Sequence, residues 1–285
     1  MLAMHCISHR PVEPPDSDIG ILQVGNQESD FGHHRDNQGD NIASLNHRFS
    51  ELTGLYYVWK NLPSPTVGFC HYRRYLIPTE LSPWLREAAE KPYHENSKGG
   101  VANYASGFLL SQDKLREKLS NSNYTQMITD QLQDADILLP KSNKLPVGGF
   151  LKQYGNAHPI HPFFECLALI GQRDNRLAQD AHHFFTQYPH AHWNNLFVTS
   201  WDHYCDYCEF VFELLIALNQ KIPTLKDAYQ NRICAFLSER LFNFWIYNRG
   251  LKIIELDWCM TEEVSSTAES HQRKRSSHSI KCDAE

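Results

Sequence analysis

No stretch of the 285-residue chain approaches the roughly 20 consecutive apolar residues of a membrane span. The N-terminal MLAMHCISHRPVEPP has no basic leader, and its apolar run is too short for a secretory signal. It is read as a first strand, and the expected compartment is the cytoplasm. Positive charge is not in excess either. Lys and Arg number 27 against 33 Asp and Glu, a formal net charge of −6. That excludes a global nucleic-acid footprint and confines any anion site to a local cluster. Metal motifs are also missing. Cys205 and Cys208 form one C-x-x-C, without the second pair that a zinc ribbon needs. His158 and His161 in HPIHP, and His190 and His192 in HAHW, lack the H-E-x-x-H spacing. The eight cysteines are scattered, several among apolar residues, as buried free thiols of a reducing compartment would be. No internal repeat is present.

What is there reads as alternating strands and helices. MHCIS and DIGILQVG (18–25) predict two strands, and the polar residues 26–40 predict a long loop. In residues 40–62, Ile42, Leu45, Phe49, Leu52, Leu55 and Trp59 recur at helical spacing, with Asp40 or Asn41 as N-cap. LPSP ends that helix, and TVGFCHYRRYLI predicts one central strand. Residues 79–125 read as mostly helical around a short strand, SGFLLS. DADILLP is a further strand, and Gly148-Gly149 in the loop after it reads as a hinge. Residues 162–185 read as helix and HWNNLFVTS as strand-like. Strong helices follow over WDHYCDYCEFVFELLIALNQ and AYQNRICAFLSERLFNFWIYNRG, the second stopped by Gly250. LKIIELDW closes the pattern as a last strand. The fold class is therefore α/β, with residues 1–260 as one domain and 261–285 as a polar tail without periodicity, expected to be disordered.

One cluster stands out. His71, Tyr72, Arg73 and Arg74 follow the apolar Val67-Gly68-Phe69-Cys70. Ligands of open α/β sheets sit beyond the carboxyl ends of the strands. A guanidinium offers a fixed fork of donors to phosphate or carboxylate. An anion site, with a diphosphate the best candidate, is one reading. Pairing of Arg73 and Arg74 with helix carboxylates such as Glu51 is the other, and residue types alone leave the two level. Strand alternation would put Tyr72 and Arg74 on one side and His71 and Arg73 on the other. Asn46 and Glu51 are polar positions on an otherwise apolar helix. Tyr56, Tyr57 and Trp59 read mostly as core.

DNIASLNHRFSELTGLYYVWKN followed by VGFCHYRRYL resembles a family of bacterial capsular and exopolysaccharide glycosyltransferases long filed as a domain of unknown function. The family pattern runs D-N-I-x3-N-x4-E-x-T-x-x-Y-x-x-W-K-N, then G-x-x-H-Y-R-R-Y. Here it is met by Asp40, Asn41, Ile42, Asn46, Glu51, Thr53, Tyr56, Trp59, Lys60, Asn61, Gly68, His71, Tyr72, Arg73, Arg74 and Tyr75. Weaker matches at DILLP, QYGNAH, NNLFVTSWDHYCDYCEFVFELL and FLSERLFNFW extend the likeness over residues 5–258. The chain departs from the pattern at Asn195, where the family usually has Met, and in residues 79–125.

The resemblance implies a GT-A-like single domain, a mixed and mostly parallel sheet flanked by helices. It implies a glycosyltransferase that moves a hexose, of galactose or galactofuranose type, from a nucleotide sugar, UDP-linked in expectation. The acceptor would be a growing surface polysaccharide or lipid-linked glycan, with room for peripheral contact at the inner membrane face. In many GT-A enzymes an Asp-x-Asp at the equivalent strand end holds a divalent metal; here HYRR stands in that place. His71, Tyr72, Arg73 and Arg74 are then expected to neutralise the diphosphate directly, with no cofactor and without requiring a divalent metal. Asp40, Asn41, Asn46 and Glu51 are the expected nucleotide- or sugar-binding residues, and His158 and Asn194 the expected acceptor or sugar contacts. The base that takes the acceptor proton is expected at Glu239, against a salt bridge from Glu239 to Arg240 or Arg232, or at Asp202, against a helix N-cap. Two other readings stand beside this one: a metal-dependent hydrolase using the His-rich loops, and a non-catalytic nucleotide-sugar-binding protein.

Overall fold

The computed structural model describes residues 1–26, 28–95 and 104–262. The chain opens with β1 (Leu2–Ser8) and β2 (Ile19–Gln23), then β3 (His34–Arg35) inside the predicted long loop. The predicted helix over 40–62 is broken into a 3-10 turn (Ala43–Leu45), α1 (Asn46–Phe49) and α2 (Leu52–Asn61), the break falling at Ser50, whose φ is 49°. Neither Asp40 nor Asn41 is the N-cap: Ile42 holds that position, and Asn41 Oδ1 accepts from Ala43 N at 3.2 Å.

The predicted central strand is a hairpin. β4 (Thr66–His71) turns at Tyr72-Arg73 into β5 (Arg74–Ile77), and His71 pairs with Arg74 across the turn. The expected alternation of HYRR side chains along one strand therefore does not apply. Next come α3 (Ser82–Ala88), β6 (Lys91–Glu95), β7 (Tyr104–Ser111), α4 (Gln112–Ser120), α5 (Tyr124–Leu132) and β8 (Ile137–Pro140). After β9 (Asn143–Lys144), Gly148 and Gly149, both at positive φ, open α6 (Gly149–Ala157) rather than forming a free hinge. Asp174 splits the predicted helix 162–185 by capping α8 (Asn175–Gln187) behind α7 (His161–Arg173), its Oδ1 accepting from Arg176 N and Leu177 N. β10 (His190–Ala191), β11 (Phe197–Ser200), α9 (Trp201–Lys221), α10 (Ile233–Arg249) and β12 (Ile253–Glu262) complete the order. The remainder of the predicted tail, and SKGG at 97–100, lie outside the described residues.

Ten strands form one sheet in the order β3-β2-β1-β4-β11-β8-β12-β7-β6, with β5 pairing both β12 and β4. The sheet is mixed. β1 runs parallel to β2 and β4, and β12 to β7 and β8. β11 is antiparallel to both its neighbours, β5 to β4 and β12, and β6 to β7. β3 also runs parallel to β2, so among the described strands β5, β6 and β11 oppose the other seven. Alternation along the strands sends Val67 and Phe69 into the core under α1, α2 and α6–α10. Met4, Cys6 and Cys70 enter the core under α3–α5. Cys208 packs in the first core and Cys205 is half-buried beside it, so the C-x-x-C is a helix-packing feature. The buried Arg48 fastens α1 to the last turn of α9, donating to Asn219 O at 3.2 Å and Ile222 O at 3.0 Å.

Candidate functional site

Parallel pairing fixes which residues meet at one edge of the sheet. Ile7 is level with His71, and Ser8 with Gln23. The carboxyl ends of β1, β2 and β4 thus share an edge, carrying His9 and Arg10, Gly25, and the HYRR hairpin. β11 runs the other way, so the residues before it reach the same edge. With Phe197 opposite Phe69, Asn195 falls level with His71.

The hairpin is held by its own aromatics. Tyr75 Oη donates to Tyr72 O at 3.1 Å. The buried Tyr72 ring meets His9 edge-on at 5.1 Å and His71 at 4.6 Å, and lies under the guanidiniums of Arg10 (4.3 Å) and Arg73 (5.3 Å). Burial pushes the His71 imidazole well below its ordinary pKa. The charges of Arg74, Arg73, His9 and Arg232 push in the same direction, so His71 is neutral at pH 7. Its Nδ1 and Arg73 Nε are enclosed without a hydrogen-bond partner. A neutral ring among cations, with enclosed polar atoms unmatched, is an environment that an anion would complete.

The start of α2 reaches this edge from above. Asn46 Nδ2 donates to Ser50 O and to Thr53 Oγ1, both at 3.0 Å, and its Oδ1 packs against Gly25. Thr53 Oγ1 in turn donates to the buried Asp36, whose pKa burial raises. Glu51 Oε1 accepts from Asn195 Nδ2 at 2.9 Å, and Glu51 Oε2 lies 3.7 Å from Arg232. Glu239 Oε1 accepts from the backbone N–H of Asn194 at 2.9 Å, and Glu239 Oε2 is 3.2 Å from Arg240. Asn194 (φ 77°) and Asn195 (φ 49°) form a left-handed turn between the two carboxylates. The buried Tyr207 hydroxyl has no hydrogen-bond partner. Burial first, then the charges of Cys208, Glu239 and Glu51, push its pKa well above the ordinary value.

The structure therefore gathers His71, Tyr72, Arg73, Arg74, Asn46, Glu51, Asn194 and Glu239 at one edge, and leaves others out. Asp40 and Asn41 sit at the far end of α2. There Asn61 brackets Asp40 through its N–H (3.1 Å) and carbonyl (2.8 Å), and Tyr56 Oη reaches Asp40 Oδ1 at 3.3 Å. The ten residues of α2 put that bracket about 15 Å from Glu51. Asp202 starts α9 at the opposite edge of the sheet, across the length of β4, about 17 Å away. It lines a cleft there with Pro63–Pro65, Ser200 and Trp201. The N-cap of α9 is Ser200, not Asp202. His158 stacks on Phe236 at 4.0 Å and bonds Gln230 at 3.0 Å. Burial, with Arg240 and Arg232 nearby, lowers its pKa to about 4. That is a packed ring rather than one offered to an acceptor. Trp59 stacks on Phe212 of α9, with Lys60 over its face at 3.3 Å.

Sequence reading missed His9, Arg10 and the nearness of Arg232 to this edge. The first two carried a signal: CISHR repeats the form of GFCHYRR, an apolar strand running out into His and Arg. Arg232 carried none. Two triplets have the letters of Asp-x-Asp, Asp16-Ser17-Asp18 and Asp134-Ala135-Asp136, but they precede β2 and β8 at the opposite edge. Among the described residues no three His, Cys, Asp or Glu side chains converge as metal ligands. His161 pairs with Glu165 at 3.4 Å, and the buried His192 bonds Pro140 O at 2.8 Å. The convergence that the hydrolase reading requires is not found among those residues. No described helix is long and apolar enough to cross a membrane.

A family model described as a domain of unknown function, DUF4422, matches residues 3–250. Comparison with curated proteins finds no match. Among solved structures, the chain is similar to the apo structure of WbbM, a bifunctional glycosyltransferase, at 25% identity and a TM-score of 0.72. The match covers 92% of this chain and 45% of that one, so the chain spans under half of WbbM's length.

Proposed function

The chain belongs to the DUF4422 family, and from that premise we propose that it is a GT-A-like glycosyltransferase taking its donor as a nucleoside diphosphate sugar. The observation that carries this reading is the cationic edge at the carboxyl ends of β1, β2 and β4. It occurs in a chain similar to a glycosyltransferase over 92% of its length. UDP is the favoured nucleotide and a galactose-type hexose the favoured sugar. A surface polysaccharide or lipid-linked glycan is the favoured acceptor, on the resemblance of the motif.

In this mechanism the acceptor hydroxyl oxygen forms a bond to the anomeric carbon, whose bond to the diphosphate oxygen breaks. The electron pair leaves with the diphosphate. Arg73 and Arg74 stabilise the growing negative charge, and neutral His71 donates a hydrogen bond. Glu239 takes the acceptor proton, oriented by the Asn194 N–H. Asn46 and Glu51 hold the start of α2 and the Asn194-Asn195 turn in register with the hairpin. The two Asp-x-Asp triplets stand at the other edge, so the diphosphate is held by side-chain cations and no divalent metal is required.

Calorimetry with UDP and UDP-galactose, with and without EDTA, tests this. Binding should survive EDTA and weaken at least ten-fold in Arg73→Ala or Arg74→Ala, since a charge-assisted contact contributes about 1.5–3 kcal/mol. A folded protein that binds none of several nucleotides and nucleotide sugars would refute the reading. Binding without transfer to any acceptor would favour the non-catalytic alternative.

A further inference from the structure

Arg232 lies outside the motif, yet it is tied to the same edge. Its Nε donates to Ser50 Oγ at 2.7 Å, and its Nη2 stands 3.7 Å from Glu51 Oε2. The second distance is within ion-pair range but beyond a hydrogen bond. The other oxygen of Glu51 is taken by Asn195, which the strand register places level with His71. Glu51 thus links Arg232 to the end of β4. The Arg232 charge reaches His71 directly, adding to those of Arg73, Arg74 and His9. The Arg232 side chain is 40% exposed, with its Nε held by Ser50 and its outer nitrogens on the loose Glu51 pair, while Glu51 is 19% exposed.

We infer that Arg232 is a further diphosphate-binding residue, held on Glu51 until ligand arrives. Its guanidinium leans on the Glu51 carboxylate at 3.7 Å. A diphosphate seated at the HYRR hairpin draws it across, and the loose pair is exchanged for a bonded one. The inference rests on the reading of this edge as a diphosphate site. Its physical ground is the contrast between the two partners. A loose pair between part-exposed groups contributes little. A guanidinium fork on phosphate makes two charge-assisted hydrogen bonds. Glu51 has a dual consequence: it keeps Arg232 near, and it competes with the ligand.

Competition gives a test that a merely structural pair would fail. UDP and inorganic pyrophosphate are titrated calorimetrically, in EDTA, into wild type, Arg232→Ala, Glu51→Gln and Arg73→Ala, with thermal melts to confirm folding. Arg232→Ala should weaken both ligands at least ten-fold. Glu51→Gln retains an acceptor for Asn195 but releases Arg232, and should tighten both about three-fold or more. If Arg232→Ala leaves affinity unchanged while Arg73→Ala lowers it, the inference fails and the diphosphate reading stands. Unchanged or weaker binding by folded Glu51→Gln also overturns it, because Arg232 and Glu51 would then act together as a brace. Absence of binding by the wild type removes the diphosphate reading itself.

Discussion

His5 shows how a single residue of this fold is tuned by what surrounds it. It lies in β1, 7% exposed, beside Phe69, with both ring nitrogens unpartnered. Burial, aided by the His34 charge, lowers its pKa from 6.5 to about 4. The unfolded chain therefore binds a proton that the native state refuses between those values. The contribution is complete above pH 6.5 and is lost as pH falls toward 4. A shift of that size corresponds to about 3 kcal/mol, of which about 2 kcal/mol is gone by pH 5. His5→Leu sacrifices no hydrogen bond and should lose less stability than wild type between pH 7.5 and 5, as read by urea unfolding at each pH. Equal losses in the two proteins would show that His5 is not the group responsible. Nothing in MHCIS distinguishes this histidine from an edge residue, since its isolation is set by the neighbouring strands. His71 differs in that its neighbours come from its own sequence. The Arg73 and Arg74 charges beside it were legible, whereas those of His9 and Arg232 required the sheet register and the placement of α10.

At the scale of elements, the existence of strands and helices was legible and their interruptions were not. Leu45, Phe49, Leu52 and Leu55 keep helical spacing straight through Ser50, so periodicity gave no sign of the break there. Yet the break places Glu51 at the start of α2, facing Asn195, and exposes Ser50 O and Oγ to Asn46 and Arg232. Ser50 occupies φ 49° and ψ −128°, a region that side chains with a Cβ resist. Ser50→Ala and Ser50→Gly both lose the acceptor for Arg232, and only glycine relieves the backbone. The glycine variant should be the more stable by about 1–2 kcal/mol in chemical denaturation. Equal stabilities would mean that the backbone relaxes once the hydroxyl is gone. The HYRR hairpin escaped notice for a similar reason. Apolar residues flank both sides of a two-residue turn that has neither glycine nor proline, so GFCHYRRYLI reads as one continuous strand.

Across the whole molecule, the α/β class and the placement of HYRR at a strand end followed from alternating patterns. The mixed direction of the sheet did not, because β5, β6 and β11 owe their antiparallel pairing to partners distant in sequence. That mixture decides which polar residues are neighbours. Since β11 runs antiparallel to β4, the residues before it join the HYRR edge and those after it join the other. Asn194 and Asp202 are only eight positions apart in sequence, yet they lie at opposite edges of the sheet. The family motif is divided in the same way by α2: Asn46, Glu51 and Thr53 serve the HYRR edge, while Asp40, Tyr56 and Asn61 form a bracket at the other end. The two edges should therefore respond differently to loss of charge. Asp202→Ala removes an exposed carboxylate about 17 Å from the hairpin, beyond the roughly 8 Å screening length of physiological salt. Its UDP affinity should stay within about two-fold of wild type, since less than about 0.4 kcal/mol of coupling remains at that distance. Arg73→Ala, measured in the same buffer, should lose ten-fold or more. A comparable loss in Asp202→Ala would place the diphosphate in the far cleft beside Trp201, and the HYRR hairpin would then be a brace of the sheet rather than the floor of the site.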